Sequence, residues 1–244
     1  MPRKSNSKRA SQRSVDEEVA AVVALLKRRG SKRNREGMAR YAIPSDKAFG
    51  VPMRKMQDIA KRLGHSHELA AALWEAGWYE TKILAAFVDE PERVTPAQMD
   101  RWCKDFNSWA DCDTVCFHLF DRTPYAYRKV EQWARRRDEF VKRAAFALLA
   151  CLALHDKQAE DETFLRYFPL IEAASADDRN FVKKGVSWAL RLIGRRNTAL
   201  NEAAVKLARQ LTESPHQSAR WIGRDAFREL TGATVKRHLA KRTR

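Results

Sequence analysis

Residues 107–120 have the sequence Asn107-Ser108-Trp109-Ala110-Asp111-Cys112-Asp113-Thr114-Val115-Cys116-Phe117-His118-Leu119-Phe120. It predicts an amphipathic helix, because Asn107 or Ser108 can cap its N-terminus and acidic residues follow in the first turn. Its apolar face would consist of Val115, Cys116, Leu119 and Phe120. Trp109 and Asp113 are four residues apart, so the helix would bring them to the same side, at the edge of that face.

Asp113 is the unusual residue of this helix, because a carboxylate beside an indole at the edge of a core needs either a partner or a function. In one interpretation Asp113 is a structural ion-pair partner and Trp109 fills the core. In the other, both residues belong to a reactive site. The helix alone leaves both interpretations open, and the remainder of the chain has to decide between them.

The composition indicates a helical globular protein with a polyanionic partner. Of 244 residues, 44% are hydrophobic, and Gly and Pro number only 9 and 8, which disfavours β-rich and disordered chains. The net charge of +16 comes from 47 Lys and Arg against 31 Asp and Glu. Such a charge indicates nucleic acid or, as the competing interpretation, an anionic membrane surface. Without a membrane-spanning run or a signal peptide, we expect a cytoplasmic, nucleoid-associated protein.

The four cysteines, Cys103, Cys112, Cys116 and Cys151, form no C-x-x-C pair. Cys112 and Cys116 have helical i, i+4 spacing and His118 is near them, so a metal site is conceivable. Structural zinc ligands usually come in tighter pairs, and buried cysteines commonly act as small hydrophobic residues. We therefore expect neither a metal nor a cofactor.

Helix signals follow one another along the whole chain. A capping box at Ser14 and Glu17 opens the first helix and Gly30 ends it. A short helix is predicted at Arg35–Ala42, and a loop from Pro44 to Pro52 follows. A helix from Pro52 or Met53 to Leu63 comes next. The further predicted helices are His67–Ala76, Tyr79–Val88, Pro96–Phe106, Ser108–Phe120, Pro124–Arg136, Asp138–Leu154, Asp161–Ala174, Asp178–Gly194, Asn197–Leu211, Pro215–Leu230 and Thr234–Lys241.

Helix pairs recur roughly every 35–45 residues, a period typical of HEAT and armadillo repeats. The chain is therefore predicted to be all-α, a curved α-solenoid of divergent HEAT-like helix pairs with a basic concave face. Residues 14–232 would form a single domain, between a disordered basic N-terminal arm (1–13) and a basic C-terminal tail (233–244). The arm lacks the amphipathic helix of a membrane-surface protein, so we expect no membrane partner.

Basic residues cluster in two segments, 128–143 and 179–196, which alternate with acidic connections. Each segment taken singly is ordinary for a solvated face, but together they favour one basic surface on the solenoid. That surface would bind DNA phosphates without reading sequence. Its expected backbone-binding residues are Lys142, Lys183, Lys184 and Arg191.

Three more residues are candidates for the site of Trp109 and Asp113. Arg143 lies at the edge of a predicted apolar helix face, where it can reach a phosphate or Asp113. Trp188 lies within the second basic segment, and a tryptophan there can stack on a base or a sugar. Tyr41 precedes the loop at 44–52 and is a further, weaker candidate. Each tryptophan taken singly is more often a core residue.

The order of these motifs resembles the DNA alkylation-repair glycosylases of the AlkD type, which are HEAT-like solenoids. The resemblance spans roughly Val15 to Leu230. Its motifs are the loop from Tyr41 to Pro52, Leu73-Trp74-Glu75-Ala76-Gly77-Trp78-Tyr79-Glu80, Asn107-Ser108-Trp109 with Asp113, Lys142-Arg143-Ala144-Ala145, and Val182-Lys183-Lys184-Gly185-Val186-Ser187-Trp188-Ala189-Leu190-Arg191. The basic arm and the basic tail depart from the family pattern.

The resemblance implies a monofunctional DNA glycosylase acting as a monomer on double-stranded DNA. It would excise cationic N3- or N7-alkylated purines, such as 3-methyladenine and 7-methylguanine, by hydrolysing the N-glycosidic bond and leaving an abasic site. Asp113 would be the catalytic carboxylate, Trp109 and Trp188 would pack on the lesion nucleotide, and Arg143 would contact its phosphate. The alternative is a HEAT-like scaffold that binds nucleic acid or protein without chemistry.

Overall fold

The computed structural model describes residues 14–242. The basic arm predicted for residues 1–13 lies outside them, as do the last two residues of the predicted tail. Within residues 14–242 every regular element is an α-helix or a short 3-10 helix, and no strand occurs. These residues divide into two compact units: unit 1 comprises residues 14–37 and 45–89, and unit 2 comprises residues 38–44 and 90–242.

Unit 1 contains five helices, and its core is formed where α4 packs on α5 and α1, and α3 packs on α5. Leu26, Leu69, Leu73 and Ile83 are completely or almost completely buried there. The predicted capping box is present, because Ser14 and Glu17 bond each other's backbone N–H groups. The helices are α1 (Val15–Arg29), α2 (Lys32–Gly37), α3 (Met53–Leu63), α4 (His67–Glu75) and α5 (Tyr79–Val88).

The carboxylate of Glu80, which is fully buried, organises the loop of unit 1 at residues 45–52. It accepts the backbone N–H groups of Gly50 at 2.7 Å, Val51 at 3.1 Å and Phe49 at 3.0 Å. Gly50 has a φ of 77°, and a Cβ there would lie 2.4 Å from the Ser31 carbonyl oxygen. The loop therefore requires glycine at this position, and it depends on one buried acceptor for three donors.

Glu80→Gln is expected to lower the free energy of unfolding by about 1–3 kcal/mol, because the amide NH2 cannot accept the N–H groups that the lost oxygen accepted. Urea unfolding monitored by circular dichroism measures the change. Asp58→Asn, an exposed substitution in the same unit, is the control and should stay within about 0.5 kcal/mol. Equal stability of the two variants would contradict the role of Glu80.

Unit 2 is built around α9 (Glu139–His155), which is buried at every position from Val141 to Ala153 except Lys142. A helix that is apolar on all sides has to be covered on all sides. It packs against α7, α8 and α12, and α14 covers α12 and α13. The helices are α6 (Pro96–Lys104), α7 (Trp109–His118), α8 (Ala126–Ala134), α10 (Asp161–Leu165), α11 (Phe168–Ala174), α12 (Asn180–Ile193), α13 (Thr198–Thr212), α14 (Gln217–Leu230) and α15 (Ala233–Arg242), with 3-10 helices at Met38–Tyr41 and Phe120–Arg122.

The predicted helices agree with the structure to within two residues at each end, apart from two segments. The helix predicted for Asp161–Ala174 is wrong as one element: it is broken between α10 and α11, because Pro169 in the first turn of α11 has no N–H for a continuous helix. The helix predicted for Arg35–Ala42 is instead α2 followed by a 3-10 helix.

The basic tail predicted from residue 233 begins as α15, whose Val235 and Leu239 are buried. The single domain predicted for residues 14–232 stays a prediction. Among the helices of residues 14–242, none combines the length and the apolar character that a membrane span requires.

Candidate active site

The N-terminus of α7 is fixed by a reciprocal cap that positions the candidate residues after it. The Ser108 hydroxyl accepts the Asp111 N–H, and the Asp111 carboxylate accepts the Ser108 N–H at 3.1 Å and its hydroxyl at 2.7 Å. Both side chains are buried, so water does not compete for the hydrogen bonds of the cap. Ser108 is thus the cap, and the helix holds Trp109 and Asp113 half-buried beside the covered face.

Asp113 forms a bidentate ion pair with Arg143 of α9. The Arg143 Nε donates to one carboxylate oxygen at 2.9 Å and Nη2 donates to the other at 2.7 Å. The remaining Nη1 donates to the Phe181 carbonyl at 2.7 Å. Because this fork–fork geometry requires an acceptor at both oxygens, it holds Asp113 as a carboxylate. Arg143 is only 6% exposed, so little of its guanidinium is accessible from the pocket that it lines together with Asp113.

Burial and the ion pair act on Asp113 in opposite directions. Burial raises the pKa of the Asp113 carboxyl above its ordinary value, and Arg143 opposes that rise. The Asp113 side chain nevertheless keeps 19% of its surface accessible. Asp113 is thus paired through both oxygens, yet it retains an exposed edge. A partly desolvated carboxylate of this kind interacts strongly with a cation placed against it.

A pocket of about 680 Å³ opens over this edge of Asp113. Trp109 and Trp188 line it, as does Tyr41, whose side chain is 66% exposed. The Trp109 Nε1 donates to the Tyr41 carbonyl at 2.7 Å. Ala42 follows with a φ of 54°, a left-handed conformation that costs a non-glycine residue about 1–2 kcal/mol. The strained residue, Ala42, thus directly follows the residue whose carbonyl orients the Trp109 indole.

Of the four residues predicted to bind the DNA backbone, one is exposed in the pocket and three contact other side chains of the protein. Lys184 is exposed and lines the pocket, whereas the Lys183 ammonium lies 5.2 Å from the centre of the Trp221 ring. Arg191 lines the pocket but pairs with Glu229 and Asp225. Lys142 pairs with Asp177 at 3.0 Å. Of the four, Lys184 is therefore the one most directly placed to meet a phosphate in the pocket.

Further lining residues were not expected from the sequence, above all Trp221 of α14 and Arg40. Trp221 is 37% exposed, which is unusual for so large an apolar side chain. It lies between Arg220 and Arg224 in the sequence, the same combination of an aromatic with basic neighbours that singled out Trp188. Phe181 and Asn180 also line the pocket, and nothing in their local sequence indicated this.

The cysteines lie under the site as packing residues. Cys112 and Cys116 are buried, and their thiols approach the α9 carbonyls of Phe140 at 3.8 Å and Ala144 at 3.7 Å. Burial raises the pKa of the Cys116 thiol to about 12, so it stays protonated. Among the described residues, no three His, Cys, Asp or Glu side chains are grouped as metal ligands.

Comparison with known proteins bears on the fold and on the family. A solved structure described as "a new family of proteins related to the HEAT-like repeat DNA glycosylases with affinity for branched DNA structures" superimposes with a TM-score of 0.71 and 18% identity, covering 86% of this chain and 94% of the other. A designed armadillo repeat protein in complex with the peptide (KR)4 reaches a TM-score of 0.37 and 14% identity over 77% and 78% of the two chains. The first similarity confirms the predicted all-α, HEAT-like fold, and the second is too low to carry an argument. No curated protein matches the chain.

The model of the family described as "DNA alkylation repair enzyme" matches residues 22–230. This range includes most of both units and every residue of the Asp113 pocket. The family resemblance found in the order of the sequence motifs is thereby confirmed: the chain belongs to the DNA alkylation repair enzyme family.

Proposed function

We propose that the chain is a monofunctional DNA glycosylase that hydrolyses the N-glycosidic bond of N3- or N7-alkylated purines in duplex DNA. The observation that carries the proposal is one pocket that is lined by the exposed carboxylate edge of Asp113 together with the indoles of Trp109 and Trp188. A carboxylate edge that stays accessible among aromatic rings suits a ligand that is cationic and flat-sided, and an alkylated deoxynucleoside is both.

The chemistry requires little of the protein beyond a well-placed negative charge. Alkylation at N3 or N7 makes the purine cationic, so the base leaves with the electron pair of the glycosidic bond and without prior protonation. Positive charge then develops on the deoxyribose, and a nearby carboxylate stabilises such an oxocarbenium-like state. Water adds its oxygen to C1′ and gives its proton to Asp113 or to solvent. The products are the neutral base and an abasic site.

The aromatic side chains would place the sugar against Asp113. Each indole that faces the cationic nucleotide adds about 0.5–2 kcal/mol of cation–π attraction. Arg143 makes three hydrogen bonds within the protein, so its main role in this proposal is to position the carboxylate. We assign the phosphate contacts of the pocket first to Lys184 and Arg40, which line it and are exposed. The site of action would be chromosomal DNA in the cytoplasm, with the protein acting as a monomer.

The direct test is release of free base from duplex DNA treated with a methylating agent. Chromatography should detect 3-methyladenine or 7-methylguanine above the spontaneous rate. The DNA should become cleavable by alkali and remain intact without it. Among residues 14–242, Lys184 is the one lysine of the pocket lining, and the proposal places it on a phosphate, so it would not act as a nucleophile for strand cleavage. Strand breaks formed without alkali would contradict a monofunctional enzyme, and absence of release would contradict the glycosylase.

A second candidate function is DNA binding without catalysis. It is favoured by one specific observation: both oxygens of Asp113 already accept hydrogen bonds from Arg143. The similar solved structure is described as having affinity for branched DNA structures, so this function would have a precedent on the same fold. Tight binding of DNA with no release of methylated base would identify the chain as such a scaffold.

The excision rate is expected to fall on acidification, with a midpoint above the ordinary aspartate pKa of about 3.9. Burial raises the pKa of Asp113, and Arg143 only partly offsets it. A group with a raised pKa takes up its proton at a higher pH, so the carboxylate is lost as the pH falls through the raised value. Single-turnover excision, corrected for spontaneous depurination, measures the profile. A rate that stays constant down to pH of about 3.9, in protein shown to be folded there, would contradict this role.

A further inference from the structure

A second cavity lies in unit 2 apart from the Asp113 pocket. It has a volume of about 580 Å³ and is bounded by α6, α8 and the start of α9. We call it the α8 groove, defined by Lys104, Arg128, Trp133, Arg135, Arg136 and Val141. It contains none of the residues that line the Asp113 pocket.

The cations of the α8 groove are available to a ligand. Lys104, Arg128, Arg135 and Arg136 are exposed. Within residues 14–242, none of the four forms an ion pair. Four cations without an ion-pair partner in the lining of one cavity form a surface that attracts a polyanion.

The acids of the groove do not cancel this charge. Asp100 has a cationic partner within the protein, because one of its carboxylate oxygens accepts the ammonium of the buried Lys129 at 2.7 Å and the Trp133 Nε1–H at 2.8 Å. Although burial opposes it, these bonds hold the pKa of Asp100 below its ordinary value. Glu131 and Asp138 are the other two acids of the lining, against four cations.

The α8 groove and the Asp113 pocket lie on opposite faces of α9. Val141 lines the groove and Arg143 lines the pocket. Two residues along an α-helix correspond to a rotation of about 200°, and the helix with its side chains is about 10–12 Å thick. A straight DNA segment bound at the pocket would therefore lie on one side of α9 and leave the α8 groove, on the other side, unoccupied.

We propose that the α8 groove is a second phosphate-binding site, which holds the backbone of a second DNA segment while the first occupies the Asp113 pocket. The inference rests on the proposed binding of DNA at that pocket. It goes beyond it in assigning a separate site to residues of α6 and α8. The partner is nucleic acid because the groove offers four separate cations for a repeating charge, with no deep apolar lining for a small molecule.

Two short unmodified duplexes, one carrying a donor fluorophore and one an acceptor, test the proposal. Mixed in excess over the full-length protein, they should show energy transfer that depends on the protein. Arg135→Gln with Arg136→Gln should reduce this transfer several-fold and should lower the salt slope of second-duplex binding by about two. Binding of the first duplex and excision from methylated DNA should stay close to wild type.

The matched control is Lys61→Gln with Lys206→Gln, which removes the same charge from exposed positions outside both cavities. It should leave the energy transfer unchanged, and light scattering should show one protein in each complex. Absence of transfer in the wild type would overturn the inference, as would equal transfer in the two double variants. A protein that binds one duplex and releases methylated base but fails these tests retains the proposed function. A protein that binds no duplex would contradict both the second binding site and the proposed function.

Discussion

Asp113→Asn is expected to lower the rate of base excision by about 10²–10³-fold, or about 3–4 kcal/mol, the size of effect seen when one preorganised electrostatic group is removed from an active site. Asparagine has nearly the same shape but no charge, so it cannot stabilise a cationic sugar. It also offers one acceptor oxygen in place of the two that Arg143 uses. Single-turnover release of base from methylated duplex measures the loss.

The control for this variant has to separate chemistry from binding and folding. Asp178→Asn removes an equal charge from an exposed position outside the pocket lining, and it should excise at the wild-type rate. Duplex affinity of Asp113→Asn should not fall, since a negative charge near DNA is lost. Excision by Asp113→Asn within about threefold of wild type, in protein with a wild-type unfolding curve, would remove Asp113 from the catalytic role.

Arg143→Ala is expected to lower the free energy of unfolding by about 3–5 kcal/mol, because it leaves the Asp113 carboxylate desolvated without its partner. The guanidinium is only 6% exposed, and its removal also leaves the Phe181 carbonyl without the hydrogen bond it accepts. If Arg143 served only to contact a DNA phosphate, its removal would leave the free energy of unfolding of the free protein nearly unchanged. Urea unfolding of the purified variant measures it.

Two further variants identify the origin of that loss. Lys184→Ala, in the same pocket but exposed, should change stability by no more than about 0.5 kcal/mol. Adding Asp113→Asn to Arg143→Ala should restore part of the lost stability, since the uncompensated charge is then gone. A loss below about 1 kcal/mol in Arg143→Ala, or a double variant less stable than it, would contradict a buried ion pair as the cause.

Helix positions were predictable because their signals are local. A cap such as Ser108, a stop such as Gly64 and the spacing of apolar residues act within a few turns, so they specify a helix before any tertiary contact forms. The predicted helices differ from the structure at Asp161–Ala174, which is broken before Pro169, and at Arg35–Ala42, which is α2 followed by a 3-10 helix. The convergence of Trp109, Asp113, Arg143 and Trp188 was predictable for a different reason, since their order along the chain resembled a known family.

Side-chain pairing was not predictable, because a partner can lie on any helix. Lys142 was expected on a DNA-binding surface, but Asp177 is 35 residues away in sequence and pairs with it. Arg191 similarly forms an ion pair with Glu229. Trp221 lines the pocket because α14 packs on α12. Such contacts depend on helix packing, which the sequence pattern does not report at the level of single side chains.

By itself, the sequence determined that the chain is helical, that it is strongly basic, and that a carboxylate and an indole share the first turns of α7. These properties follow from capping, periodicity and net charge, which need no knowledge of distant contacts. The contacts of Asp113 depend on how distant helices pack. Arg143 donates to both of its oxygens, and its exposed edge lines a pocket together with the indoles of Trp109 and Trp188. Arg143, which the family resemblance assigns to a phosphate, donates its hydrogen bonds to Asp113 and to the Phe181 carbonyl, because a desolvated charge has to find its partner inside the protein.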